Sequence, residues 1–249
     1  TYGFRYILAR PSLLGLQLVF FCVNFVGSLG FTIMAAMVLA RSGSDATALG
    51  TVQAAAGVGG VCGGLLLSLW GGPKKRVHGV LLGMVGVSLL GQMMMGVGRS
   101  TFVWAAASFM LMLIMPILNG SNQAIWQAKV PPDVQGRVFS VRRMIAQISA
   151  PLATLLAGPL ADKVFEPAMQ PGGSLSGLFG GLIGTGPGAG MGLLMFLSGA
   201  LGVCVGLGGY AFRAVREAET LVPDHDQAAG PEAAPAPVQP LVGELATAE

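Results

Sequence analysis

Residues 101–127 read TFVWAAASFMLMLIMPILNGSNQAIWQ and contain no charged side chain. A helix rises about 1.5 Å per residue, so roughly 20 apolar residues cross a hydrocarbon core of about 30 Å. A helix on the surface of a soluble protein needs a polar face toward water, and this stretch has none. The stretch therefore predicts a helix that spans a membrane.

Five further stretches of similar length and hydropathy occur along the chain. The predicted spans, which we number first to sixth, are residues 12–39, 48–70, 77–98, 101–127, 139–161 and 188–212. The chain is 53% hydrophobic and only 10% charged, with a mean hydropathy of +0.70. That is too little charge to cover the surface of a soluble bundle. We therefore predict an all-α membrane protein with six transmembrane helices.

The basic residues indicate how the chain is oriented. Eleven of the fourteen lysines and arginines lie near the two ends of the bundle sequence, between the second and third spans, or around the start of the fifth. Cytoplasmic loops are enriched in Lys and Arg, so both termini are predicted to be cytoplasmic in the cell (inner or plasma) membrane. Membrane lipids are the expected partners of these loops. Nucleic acid is not, because the charges are scattered over separate loops.

The chain divides into a bundle and a tail. Residues 1–212 are predicted to form the six-helix bundle, in which the spacing of Gly59 and Gly63, and of Gly60 and Gly64, favours close helix packing. Residues 213–249 are rich in Pro, Ala and acidic residues, which predicts a disordered cytoplasmic tail. A short interfacial helix is expected near 174–183, in the long loop before the sixth span.

Nothing in the sequence indicates catalysis, a cofactor or a metal centre. His78 and His225 are the two histidines, and neither has a metal-ligand partner three or four residues away. No span has the interior histidine and flanked serine that an intramembrane serine protease would need. We therefore expect a protein that is not an enzyme and binds no cofactor.

Amide side chains within the spans are the candidates to line a cavity. An unpaired amide is costly in hydrocarbon, so each should face another helix or a water-filled space. The candidate cavity-lining residues are Gln17, Asn24, Gln53, Asn119, Asn122, Gln123 and Gln147; Gln92 is a further amide of this kind. Hydrogen bonding between helices is the alternative role, and Asn24 and Asn119 are the strongest cavity candidates.

Three stretches carry a family resemblance. They are GFRYILARPSLL (3–14), NGSNQAIWQAKVPPDVQGRVFS (119–140), and AGPLAD (157–162) followed by FEP (165–167). Together they resemble the C-terminal six-helix half of a major facilitator superfamily transporter. The closest branch is the drug:proton antiporter group, which includes macrolide exporters and the enterobactin exporter.

The resemblance implies a fold and a function. The six helices would form a 3+3 inverted repeat in which the first and fourth spans line a central cavity. The bundle would pair with an N-terminal six-helix half, which we expect to lie outside this chain, or with a second copy. It would export an amphiphilic small molecule, such as a drug, macrolide or siderophore-like natural product, by proton antiport with alternating access. A non-transporting six-helix scaffold or a dimerising half-size permease is the alternative.

The loop between the second and third spans departs from the superfamily pattern. The signature GxxxDRxGRR should recur there, but residues 71–76 read GGPKKR and contain no acidic residue. A gating ion pair that needs this carboxylate is therefore in doubt. Arg137 is better placed for an inner-gate contact, and Asp162 is the carboxylate nearest the bilayer core. The candidate gating and loop residues are Lys74, Lys75, Arg76, Arg137 and Asp162.

Overall fold

A computed structural model describes residues 2–221 together with Asp224 and His225. It is an all-α membrane protein in fold, and its described residues contain no strand. Six helices are long and apolar enough to cross a membrane, and they are the first to sixth spans in chain order. Their bounds are Pro11–Ser42, Ala46–Trp70, Arg76–Val97, Thr101–Lys129, Pro132–Ala168 and Ala189–Ala211.

In the part of the chain that the structure describes, four short helices lie outside the spans. They are Tyr2–Leu8, Ser176–Ile183, Arg213–Arg216 and Ala218–Leu221. Two spans also contain a π-helical segment, Val87–Met93 in the third span and Leu160–Phe165 in the fifth. The helix Ser176–Ile183 confirms the short helix expected near 174–183.

Five spans begin and end within three residues of their predicted bounds, and the fifth is longer at both ends. The fifth helix starts at Pro132, whose missing N–H suits the first helical position. Its first turns carry Asp133 and Arg137, so hydropathy alone does not detect them. At the other end the helix continues through the π-helical segment to Ala168.

The spans are arranged as an open arc. By their main contacts they follow each other in the order second, fourth, third, sixth, first and fifth, and the sixth also touches the outer part of the fifth. If the first span is exchanged with the fourth, the second with the fifth and the third with the sixth, the same order results, read from the other end. Each group of three helices crosses the membrane three times, so two such groups would have opposite orientations, and this order is the one that an inverted repeat would give.

The contact between the second and fourth spans depends on glycine. A Cβ atom at Gly59 would lie 2.4 Å from the carbonyl oxygen of Phe109, and one at Gly63 would lie 2.3 Å from that of Leu113. A Cβ atom at Gly60 or Gly64 would meet no atom of another element within 4 Å. Of the two glycine stripes on this span, one therefore carries the close backbone contact and the other leaves an open face.

Two packed layers hold the bundle together at its ends. We call the end that carries the loops at 71–75 and 130–131 the basic end. The layer there includes Leu16, Val80 and Trp126, and the layer at the opposite end includes Met37, Val52 and Trp104. The middle of the arc, between these layers, is where side chains leave space.

The chain after the sixth span does not leave the bundle at residue 213, where the predicted tail begins. Its two short helices place Val215 and Ala218 in the core of the basic end, where they are 2% and 0% exposed. Alternation of apolar and charged residues here gives each helical turn a buried side. We call residues 213–221 with Asp224 the C-terminal strap. Residues 222, 223 and 226–249 of the predicted tail lie outside the described residues.

Candidate functional site

A cavity of about 310 Å³ lies between the first and fourth spans. The first span contributes residues from Phe20 to Met34 and the fourth contributes residues from Leu111 to Asn119. These stretches are the middles of the two helices, so the cavity lies near mid-depth in the bundle. The third and sixth spans close its back through Gln92, Met95 and Met195.

Methionine is the most frequent residue in the cavity lining. The candidate site residues predicted from the sequence contained no methionine. Five methionines from four spans line the cavity: Met34, Met95, Met112, Met115 and Met195. Met112, Met115 and Asn119 follow at spacings of three and four residues, which places them on one helix face. This spacing is the feature of the sequence from which Met112 and Met115 could have been predicted to line the cavity with Asn119. Flexible thioether side chains adapt to ligands of different shape, as in other promiscuous binding surfaces.

Asn24 and Asn119 are the two candidate residues that the structure brings together at the cavity. They come from the first and fourth spans, which hold equivalent places in the contact order. Asn24 donates from Nδ2 to the carbonyl oxygen of Phe20 at 2.8 Å. Asn119 is exposed, and its Nδ2 lies 3.8 Å from the sulfur of Met115. Gln92, 5% exposed, completes the set of amides in the lining.

Three other amide candidates lie nearer the basic end, away from the cavity lining. Gln17 donates to the carbonyl oxygen of Arg142 at 3.3 Å, and Gln123 accepts from the guanidinium of Arg142 at 2.7 Å. Arg142 also lies over the ring of Trp126, 5.2 Å from its centroid. Asn122 is buried, and neither of its side-chain polar atoms has a partner among the described residues. Arg142 thus links the first, fourth and fifth spans beneath the cavity, a role that the sequence did not predict.

Gln53 and Gln147 are exposed on the second and fifth spans, the two ends of the arc. Neither lines the cavity between the first and fourth spans. Their positions leave them available to a structure that packs against the ends of the arc.

A carboxylate of the C-terminal strap lies at the loop formed by residues 71–76. Glu219 accepts hydrogen bonds from the backbone N–H groups of Arg76 at 3.2 Å and Val77 at 3.0 Å, which begin the third span. The side chain of Arg76 donates to the carbonyl oxygen of Ala124 at 3.0 Å on the fourth span. Lys74 and Lys75 are exposed. The acid that this loop lacks in sequence is therefore supplied from about 140 residues further along the chain.

Lys129 fastens the same strap from the fourth span. Its side chain is 4% exposed and its ammonium group lies 2.8 Å from a carboxylate oxygen of Asp224. It also donates to the carbonyl oxygen of Glu219. Tyr6 donates from its hydroxyl to the carbonyl oxygen of Lys129 at 3.2 Å, and burial raises the pKa of this hydroxyl. The basic ends of the third, fourth and sixth spans are thereby tied together.

The remaining gating candidates lie apart from the cavity. Arg137 is exposed near the start of the fifth span, where its guanidinium lies 5.9 Å from the ring centroid of Tyr2. Asp162 is exposed in the π-helical segment near the opposite end. Among the described residues, no three His, Cys, Asp or Glu side chains are grouped as a metal site requires.

Comparison with known proteins finds a distant similarity to efflux proteins. Over 101 residues the chain is 30% identical to macrolide efflux protein A of Streptococcus pyogenes, covering 40% of this chain and 25% of that protein. Over 96 residues it is 31% identical to macrolide efflux protein A of Enterococcus faecalis, covering 38% and 29%. The matched stretch thus spans little more than a quarter of these curated relatives. No family model and no solved structure matches the chain significantly.

The similarity and the six apolar helices together support a multi-pass membrane protein that resembles efflux transporters. The part of the relatives that is matched is too short to carry their activity over to this chain.

Proposed function

We propose that this chain is the C-terminal six-helix half of a major facilitator-type secondary transporter that exports a small amphiphilic molecule. The observation that carries the proposal is the mid-depth cavity between the first and fourth spans. Transporter sites near the bilayer midplane at the interface of inverted repeats are a recurring arrangement. A membrane enzyme would need a nucleophile or metal group, and the cavity lining provides amides, apolar groups and thioethers instead.

The order of the spans supports the same proposal. The first and fourth spans hold equivalent places in the arc, as do the second and fifth, and the third and sixth. A scaffold without a transport role does not require such equivalence, whereas alternating access by rocking repeats uses it directly. The cavity therefore lies where the two groups of three helices meet.

The open side of the arc favours a second six-helix unit as partner. The second and fifth spans end the arc, and the first and fourth line the cavity; all four are far less buried than the third and sixth spans. The polar side chains of Gln53 and Gln147 are exposed on these two spans. Exposed amides are unfavourable toward lipid. An N-terminal six-helix half is the proposed cover, and a second copy of this chain is the other candidate.

The proposed driving force is proton antiport, and the proposed location is the cell membrane with the basic end toward the cytoplasm. The described spans place no carboxylate in the cavity lining. The main titrating group is thus proposed to lie on the partner half. The concentration of basic residues at one end supports the proposed orientation.

A transport assay of the full-length gene tests the proposal. The gene is expressed in a host that lacks its own drug exporters, and accumulation of macrolides and cationic dyes is measured with and without a proton gradient. The proposal expects lower accumulation that depends on the gradient. Equal accumulation in expressing and non-expressing cells, at verified protein level in the membrane, would contradict it.

A further inference from the structure

Gln92 occupies an unusual position in the cavity wall. It belongs to the π-helical segment Val87–Met93 of the third span, and such segments occur frequently at functional sites. Its side chain is nearly buried, and its Nε2 donates to the carbonyl oxygen of Gly27 on the first span at 3.0 Å. Space for this crossing exists because residue 30 is glycine: a Cβ there would lie 2.6 Å from Nε2.

The hydrogen bond to Gly27 fixes which way the Gln92 amide faces. A backbone carbonyl oxygen can only accept, so the amide nitrogen must face Gly27 and the amide oxygen must face elsewhere. Among the described residues, none donates a hydrogen bond to Oε1 of Gln92. Gln92 lines the cavity, and its Oε1 is not among the fully buried atoms that lack a partner. The oxygen is therefore accessible from the cavity and free to accept from a ligand there.

Asn24 repeats this pattern on the first span. Its Nδ2 is also taken by a carbonyl oxygen, that of Phe20, so its Oδ1 is the atom left without a donor among the described residues. Asn119 turns its Nδ2 to the sulfur of Met115, a weak acceptor. Three amides from three spans thus leave their oxygens available to a ligand.

The rest of the lining adds weak acceptors and few donors. The methionine sulfurs are weak acceptors, and Ser28 supplies the one hydroxyl among the lining residues that the structure describes. The lining contains no Lys, Arg or His. Each amide nitrogen keeps one further N–H after the bond described above, and Ser28 adds one O–H. The amide oxygens, the hydroxyl oxygen and the methionine sulfurs still outnumber these donors, so a ligand that brings its own N–H or O–H groups pairs best with this lining.

We infer that the cavity selects amphiphilic molecules that donate hydrogen bonds, with Oε1 of Gln92 as the specificity-determining acceptor. This inference rests on the proposed function and narrows its substrate class. A ligand that presents only acceptors or a carboxylate would leave the amide oxygens unpaired or opposed by like charge. A matched donor gains one hydrogen bond, which is roughly a two- to tenfold change in affinity.

Two neutral fluorescent probes differ in hydrogen-bond donation. They are 7-amino-4-methylcoumarin, which carries two N–H donors, and 7-dimethylamino-4-methylcoumarin, which carries none. Because the pair also differs by two methyl groups, the change in their relative affinity between protein variants is what reports donation. Binding of each to the full-length protein in lipid nanodiscs is measured by fluorescence titration, with empty nanodiscs subtracted. The readout is the ratio of the two dissociation constants, which cancels differences in partitioning between protein variants.

The variants are chosen so that loss of a helix contact is separated from loss of an acceptor. Gln92→Met removes the oxygen and also the bond to Gly27. Gln17→Met is the matched control, because Gln17 is a similarly buried amide bonded to another span outside the cavity. Asn24→Leu removes a second oxygen without loss of a contact between spans, since the Asn24 amide bonds within its own helix.

The inference expects the ratio of the dimethylamino to the amino dissociation constant to be the same in the wild-type protein and in Gln17→Met. Gln92→Met should lower this ratio roughly two- to tenfold, because the donor of the amino probe loses its acceptor, and Asn24→Leu should lower it as well. If Gln92→Met does not fold, the Asn24→Leu ratio decides. Binding of both probes with the same ratio in all variants would overturn the inference and leave the cavity as a site. Binding of neither probe by the wild-type protein would overturn the proposed site as well.

Discussion

Removal of the Glu219 carboxylate should loosen the basic end of the bundle. This carboxylate accepts two backbone hydrogen bonds at the start of the third span, at 3.2 Å and 3.0 Å. Because the site is partly exposed, each bond is taken below the range for charged partners, at about 1 kcal/mol. Glu219→Ala should therefore lower the free energy of unfolding by about 2 kcal/mol.

Thermal unfolding in detergent measures this loss. For a chain of this size, about 2 kcal/mol corresponds to a decrease of roughly 4–8 °C in Tm. Glu217→Gln is the matched control, because Glu217 lies in the same strap but pairs with the exposed side chains of Arg213 and Arg216. Exposed pairs of this kind contribute little, so the control should leave Tm unchanged.

Hydrogen exchange locates the effect. In Glu219→Ala the backbone amides of Arg76 and Val77 should exchange faster, because they lose their acceptor, while those in the middle of the third span keep their protection. Equal decreases of Tm for Glu219→Ala and Glu217→Gln, or unchanged exchange at Arg76 and Val77, would refute the assignment of Glu219 as the cap of this helix.

Two further predictions concern helix packing and the cavity. Gly63→Ala should lower the free energy of unfolding by about 1–3 kcal/mol, and Tm with it, because its Cβ would meet the Leu113 carbonyl oxygen at 2.3 Å. Gly64→Ala should leave Tm unchanged, because a Cβ at Gly64 would meet nothing within 4 Å. Equal decreases of Tm in the two variants would contradict this packing. Asn24→Ala should change resistance to an exported compound by about fivefold, because loss of one hydrogen bond to the ligand changes affinity by about that factor. Gln53→Ala should leave it unchanged, and equal resistance in both variants at normal protein level would exclude Asn24 from the site.

The six helices could be predicted because each residue in a membrane span meets nearly the same solvent, so length and hydropathy suffice. The first turns of the fifth helix were missed because they are amphipathic and lie beyond the predicted span. The sequence analysis assigned the strap to the tail because the segment contains several charged residues. Its two buried side chains, Val215 and Ala218, are too few to raise the mean hydropathy of the segment noticeably.

The site was predictable in part for a similar reason. An amide within a span must find a partner, which singled out Asn24 and Asn119, but the sequence does not say whether that partner is a helix or a cavity. Gln17 was indistinguishable from Asn24 until the structure placed it against Arg142. The methionines were missed because apolar residues are common on every face of a membrane helix, and only the assembled arc shows which of them meet.

Cysteine accessibility in lipid tests the central claim, a water-filled cavity at mid-depth between the first and fourth spans. In a variant without Cys22, Cys62 and Cys204, single cysteines replace Asn24, Asn119 or Leu201. Leu201 is 53% exposed near the middle of the sixth span, which points it to lipid. A charged methanethiosulfonate reagent should modify the cysteines at 24 and 119 rapidly and the one at 201 slowly or not at all. Equal, slow modification at all three positions would contradict the cavity and the transporter built around it.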